Sequence, residues 1–249
     1  MELIKIVKIL EEIAPPELAD DFDEGRIGLI LDLENNIERI AVALDASSYV
    51  LKKAAEMRAG LLVTHHTLIF HPISKVSKSL AESLRLALEN GISLYSMHTN
   101  YDRAEGGIND VLAARLGLRN IETTEIGRIG KIEPCTSAEL ASYVSETLKT
   151  PVIYAGEKEG IRRVMVVGGS GFSTEFLEIA RANRVDAFIS SELKHNILRT
   201  YGDLCLIDAT HYATENPGME ALCSRLREIS GLEVEFIEQP SGLKAVDRT

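Results

Sequence analysis

Basic residues are in the minority in this chain: 27 Lys and Arg stand against 38 Asp and Glu, a formal net charge of −11. That deficit leaves no electrostatic footprint for a phosphate backbone or an anionic membrane surface, and it argues against direct nucleic-acid binding. Cysteine is scarce as well. Cys135, Cys205 and Cys223 form no Cys-x-x-Cys, which fits a reducing, cytoplasmic compartment and argues against a thiolate metal site. No apolar run approaches the ~20 residues of a membrane-spanning helix. Met1 to Leu10 carries Glu2, Lys5 and Lys8, where a signal peptide has an uninterrupted apolar core. There is no Gly-x-Ser-x-Gly nucleophile elbow, no catalytic-looking cysteine and no low-complexity linker. What remains is a periodic chain of 249 residues, 45% hydrophobic, long enough for a substantial core in one large domain or two small ones.

The periodicity alternates between strand and helix. Leu3, Ile6, Val7, Leu10 and Ile13 share one helical face, and Pro15-Pro16 ends that helix. Asp20 to Glu24 reads as a solvated acidic turn. Strands are expected at Ile27–Leu31, Ile40–Leu44, Leu61–Val63 and Ile92–Met97, with helices from Ser47 or Ser48 to Ala59, about Ser79 to Asn90, and Ile108 to Leu116. That alternation is the signature of βαβ units on a largely parallel sheet. The pattern restarts near Ile126. Strands are expected at Ile126–Ile132, Val152–Tyr154, Val164–Val167, Asp186–Ile189 and Leu204–Ile207. Helices alternate with them at Ser137–Lys149, Thr174–Arg184 and Leu193–Tyr201, and Pro217–Ile229 precedes a last strand, Val234–Ile237. The expectation is two α/β lobes: residues 1–122 with about 216–249, and residues 123–215. Ser241 to Thr249 has little to bury and is expected to be mobile.

Three strand ends carry chemistry. Leu61-Leu62-Val63 runs into Thr64-His65-His66, Leu94–Met97 into His98-Thr99-Asn100-Tyr101-Asp102, and Leu204–Asp208 into Ala209-Thr210-His211 with Glu215 four residues on. Neighbours on a strand point to opposite faces, so His65 and His66 converge only if the strand ends there. The carboxyl ends of strands in an α/β sheet are where ligands bind. Imidazole with carboxylate suits Zn, Fe, Mn, Co or Ni and fits Ca or Mg poorly. The five donors His65, His66, Asp102, His211 and Glu215 exceed one open tetrahedral site. With one carboxylate bridging, they suffice for two divalent ions per chain, and a water shared by two cations becomes a nucleophile near neutral pH. The implied class is metal-assisted hydrolysis through a metal-bridging water. Gly168-Gly169-Ser170-Gly171 is a separate feature. It lacks the Gly-Lys-Ser/Thr of a P-loop and the third glycine of the dinucleotide fingerprint. It reads as a plain tight turn, with an anion-holding turn as the alternative.

His65-His66-Thr-Leu-Ile-Phe70, His98-Thr-Asn-Tyr-Asp102 with Gly107-Ile-Asn109-Asp110, and Asp208-Ala-Thr-His211 with Glu215 resemble the three signature blocks of the Nif-three-like family, whose members carry the label GTP cyclohydrolase I type 2 homologue. The resemblance runs over nearly the whole chain. It implies two related α/β lobes, a dinuclear metal site in the cleft between them and a toroidal homohexamer. It carries the ligand role to His65, His66, Asp102, His211 and Glu215, with Glu215 as the bridge, and places His98 beside the site, orienting a ligand or water. Glu192 and His195 match a second-lobe block and become candidates for substrate contact or proton transfer. Thr67 stands where the family usually has Pro, Arg26-Ile27-Gly28-Leu29 replaces an Asp-Asn-x-Gly-Leu block, and Ser190-Ser191-Glu192 replaces Thr/Ser-Gly-Asp/Glu. Two readings follow. One is a metal-dependent hydrolase acting on a nucleotide-like or phosphorylated small molecule; the other is a non-catalytic, metal-binding regulatory protein.

Overall fold

The computed structural model of the protein describes residues Met1–Lys244. The described chain divides into two compact units, residues 1–107 with 219–240, and residues 108–218 with the tail from 241. The expected mobility of Ser241 to Thr249 falls, from residue 245 on, outside the described residues. The first unit opens with α1 (Leu3–Ile13), β1 (Gly28–Leu31), β2 (Arg39–Asp45) and α2 (Ser48–Glu56). It continues with β3 (Leu61–His66), α3 (Lys78–Glu89), β4 (Ser93–Ser96) and α4 (Thr99–Arg103). The second unit runs α5 (Ile108–Arg115), β5 (Arg119–Thr123), β6 (Arg128–Cys135), α6 (Ser137–Leu148), β7 (Ile153–Ala155) and β8 (Ile161–Val166). It goes on with α7 (Thr174–Ala182), β9 (Ala187–Ser190), α8 (His195–Thr200) and β10 (Cys205–Asp208). The helix α9 (His211–Ser230) begins in the second unit and ends in the first, where β11 (Glu233–Phe236) follows. Among the described residues no helix is long and apolar enough to cross a membrane.

The strands of the first unit form a sheet in the order β1-β4-β3-β2-β11. β4, β3, β2 and β11 pair in parallel, and β1 closes the edge antiparallel to β4. β3 is central, so its apolar residues are covered on both faces, as the continuous run Leu61-Leu62-Val63 requires. Leu62, Ala41, Ala43 and Leu94 share a buried cluster with Val50, Leu51 and Ala54 of α2 and Ala87 of α3. The alternate residues Ile40, Val42, Leu61 and Val63 are fully buried as well. Ser47 and Ser77 accept hydrogen bonds from Val50 N and Leu80 N and so cap α2 and α3.

The second unit departs from the expected parallel sheet. Its order is β5-β6-β8-β9-β10-β7, in which only β8-β9 and β9-β10 pair in parallel. β5-β6, β6-β8 and β7-β10 are antiparallel. Alternation still sorts the side chains. Val164, Val166, Ala187, Ile189, Cys205 and Ile207 pack with α5 and α6 on one face, while Met165, Phe188, Leu204 and Leu206 pack with α7 and α8 on the other. β5 carries no apolar alternation and every residue in it is exposed, so periodicity could not find it. The last helix starts at His211, six residues ahead of the expected Pro217, which lies inside it. The missing N–H of Pro217 costs one helical bond, and the surrounding helix absorbs it.

Asp186, just before β9, ties that strand to the start of β8. Its carboxylate accepts from Arg162 N and Arg163 N, both at 3.0 Å, and pairs with Lys158 Nζ at 3.3 Å. Burial pushes the carboxyl up, but the two backbone amides and Lys158 together outweigh it and hold the pKa below the ordinary value. A lowered folded pKa means stability present above the unfolded pKa of about 4 and lost as pH falls through the folded one. Asp186→Asn is therefore expected to cost about 1–3 kcal/mol at pH 7. The gap in urea midpoint between wild type and variant is expected to narrow below about pH 4. A gap that is constant down to pH 3 would show that the ionised carboxylate contributes nothing.

Candidate metal centre

The strand β3 ends at His66, and that ending lets two neighbouring histidines converge. His65 is fully buried and His66 half-buried, with ring centroids 5.0 Å apart. His98 follows β4, the parallel neighbour of β3, and its ring lies 5.0 Å from that of His65 and 5.7 Å from that of His66. Each of the three offers a ligand atom within 4.8 Å of the others. Asp102, in the α4 turn, brings Oδ1 to 3.5 Å from His65 Nε2. In the second unit the first turns of α9 place His211 Nε2 3.1 Å from Glu215 Oε2, the i,i+4 spacing of one helical face.

The other ring nitrogen of each histidine is already committed. His65 Nδ1 lies 2.8 Å from the Met97 carbonyl oxygen, and His66 Nδ1 lies 2.7 Å from Asp45 Oδ1. His98 Nδ1 lies 2.8 and 2.9 Å from the two oxygens of Asp23, and His211 Nδ1 lies 2.7 Å from Glu192 Oε1. A carbonyl or an ionised carboxylate only accepts, so Nδ1 carries the proton in all four rings. The lone pair of the neutral tautomer is then on Nε2, the orientation that an acceptor-backed metal ligand has. Imidazole and carboxylate are donors that suit a borderline transition metal, so the cluster His65, His66, His98 and Asp102 in the first unit and the pair His211 and Glu215 in the second each fit such an ion.

Two of the orienting carboxylates escaped the sequence reading. Asp45 ends β2 and stands opposite His66 in register, so the rule that singled out strand ends would have found it. Asp23 overturns the expectation of a solvated acidic turn. It is fully buried, and its carboxylate also accepts from Thr99 N at 3.0 Å and from Thr99 Oγ1. Burial alone would push its carboxyl up; the His98 and Thr99 hydrogen bonds outweigh that and hold it below the ordinary range. Nothing local marks Asp23 off from exposed Asp21, because its partners are 75 and 76 residues away in the chain.

Glu192 carries an acceptor that orients His211. That hydrogen bond lowers its carboxyl pKa against the opposing effect of burial, with help from Ser170. Glu192 and Thr210 both have left-handed backbones, φ 65 and 66, at the ends of the paired strands β9 and β10. The conformation costs a non-glycine residue about 1–3 kcal/mol and is held by the structure around it. Thr210 N donates to Asp208 Oδ1 and Leu193 N to Asp208 Oδ2, so one carboxylate pins both turns. His195, the other candidate of this block, opens α8 with an exposed side chain that makes no hydrogen bond to a described residue.

The glycine turn proves to be a packing device. Gly168 N donates to Asn109 Oδ1, Gly169 N to Thr214 Oγ1 and Gly171 N to Ser190 Oγ, so these amides are spent on the protein rather than presented to an anion. A Cβ on Gly169 would lie 2.1 Å from Glu215 Oε1 and 3.2 Å from His211 Nε2.

Over residues 1–241 the chain matches the family model Duf34/NIF3 (NGG1p interacting factor 3). It belongs to that family. A family member from Clostridium perfringens, named GTP cyclohydrolase 1 type 2 homolog, is 32% identical over 254 residues and 95% of each chain. Another of that name from Pyrococcus abyssi is 34% identical over 258 residues, covering 98% of this chain and 100% of the other. The solved structure of reduced HcgD from Methanocaldococcus jannaschii is similar at 30% identity and a TM-score of 0.84, over 96% of this chain and 98% of that one.

Proposed function

We propose that this NIF3-family protein binds two divalent transition-metal ions and hydrolyses a nucleotide-like or phosphorylated small molecule. His65, His66, Asp102, His211 and Glu215 are the ligands in this reading. The observation that carries it is the shared state of the histidines: each has Nδ1 backed by an acceptor, leaving Nε2 as a donor. When bound, such a metal supplies Lewis acidity and an activated water near neutral pH. The chain's own residues do the rest. Asp45, Asp23 and Glu192 fix ring orientation and raise imidazole basicity. His98 Nε2, beside the same cluster, takes or returns a proton at the reacting group. The toroidal homohexamer belongs to the same proposal and is read directly by sedimentation.

The reading is tested by incubating metal-loaded protein with a nucleotide and phosphoester panel beside Glu215→Ala. Turnover that vanishes with the metal supports a hydrolase; full metal occupancy with no turnover across the panel overturns it. The orienting carboxylates give a second expected outcome. Asp45→Ala and Glu192→Ala should each weaken metal affinity roughly 10–100-fold with the donor atoms intact. Competition with a chromogenic chelator measures it, and affinities equal to wild type would remove these residues from the centre.

A further inference from the structure

Between the acidic turn and β1 lies an arginine whose guanidinium is held by rings alone. The Arg26 Cζ sits 4.2 Å from the centroid of Phe70 and 5.6 Å from that of Phe22. Both rings meet the His98 imidazole edge-on, at 6.1 Å for Phe22 and 6.0 Å for Phe70. Phe22 and Phe70 are 51% and 41% exposed, so each ring keeps part of its surface open to solvent. Among the described residues the guanidinium forms no hydrogen bond and no ion pair. Asp21 and Glu24 flank it in sequence and leave it alone, while Asp23 is committed to His98 and Thr99.

We propose that Arg26 is the residue that recognises the phosphate of a nucleoside phosphate, with Phe22 and Phe70 offering aromatic faces to its base. Cation–π contact with two rings restricts the guanidinium in advance, so less rotamer freedom is lost when a ligand binds. The guanidinium N–H groups make no hydrogen bond to a described residue, and a planar fork of donors can hold a phosphate bidentately. The place, next to His98, is beside the proposed centre. The inference deepens the nucleotide-like substrate reading and rests on it, but its test reads binding and needs no turnover.

Calorimetric titration of zinc-loaded protein with adenosine and guanosine monophosphates, and with inorganic phosphate, decides it. Arg26→Gln should weaken monophosphate binding about tenfold or more at unchanged zinc content, and Arg26→Lys should restore only part of it, because an ammonium keeps charge but not the planar fork. Phe70→Leu should weaken the monophosphates more than inorganic phosphate. Equal monophosphate affinity in wild type and Arg26→Gln overturns the proposal, as does wild type that binds none of the probes at millimolar concentration. Arg26-dependent binding without turnover sinks the hydrolase reading and leaves this one standing; turnover indifferent to Arg26 does the reverse.

Discussion

Glu215→Ala is expected to empty the metal centre of both ions and to abolish any activity, whereas Asp102→Ala or His211→Ala should each release mainly one. The argument is a count of lone pairs. Five protein ligands give each of two ions about three only if one ligand is shared. No histidine can be shared, because Nδ1 of His65, His66 and His211 is spent on Met97, Asp45 and Glu192, and Nε2 has a single lone pair. Only Asp102 and Glu215 have two oxygens to divide. Glu215 is buried, with Oε2 3.1 Å from His211 Nε2, and its longer side chain reaches further. The fold should survive each change, since the clusters around β3, β8 and β9 are apolar and contain none of these side chains. Elemental analysis after reconstitution, with urea melts as the folding control, separates the outcomes. Two ions at wild-type affinity in folded Glu215→Ala would mean that Glu215 is not the bridge.

The sequence made this cluster legible because one rule applied repeatedly: a polar ligand type within a few residues of the end of a short apolar run. His65, His66, His98, Asp102 and His211 all obey it, and the parallel pairing of β3 with β4 brings four of them together. Asp23 did not obey it. Its role depends on tertiary pairing with His98, and a local window sees only one acid among several. The sheets divide along the same line. Continuous apolar runs announced β3, β4, β9 and β10 as buried strands, but strand direction is set by the connections, and the antiparallel pairings of β6 and β7 leave no mark in composition. Pro217 misled for a physical reason as well. Proline is most at home in a helix's first turn, which points to a start at Pro217, whereas the helix begins at His211 and so sets His211 and Glu215 one turn apart.

Gly169→Ala should damage both the stability of the second unit and the candidate metal ligands, and Gly160→Ala is its built-in control. Both glycines have left-handed backbones, φ +66 and +65. At Gly160 a Cβ meets nothing within 4 Å, so alanine pays only the backbone conformation, about 1 kcal/mol. At Gly169 the same methyl group would lie 2.1 Å from Glu215 Oε1 and 3.1 Å from its Cδ. Neither side can yield cheaply. The Gly169 backbone is pinned through its N–H to Thr214 Oγ1 and through its carbonyl to Ser190 Oγ, Ser191 Oγ and Ser191 N. Glu215 is buried, on a helix whose first turn is fixed by the Thr214 hydroxyl bonds to Thr210 and His211 carbonyls. Overpacking of this kind adds about 1–3 kcal/mol to the backbone cost, and pushing Glu215 aside should remove metal as Glu215→Ala does. Urea melts and metal titration of the two variants in parallel test this. If Gly169→Ala loses no more stability than Gly160→Ala and still binds two ions, the close approach of this loop to the carboxylate has no bearing on the centre.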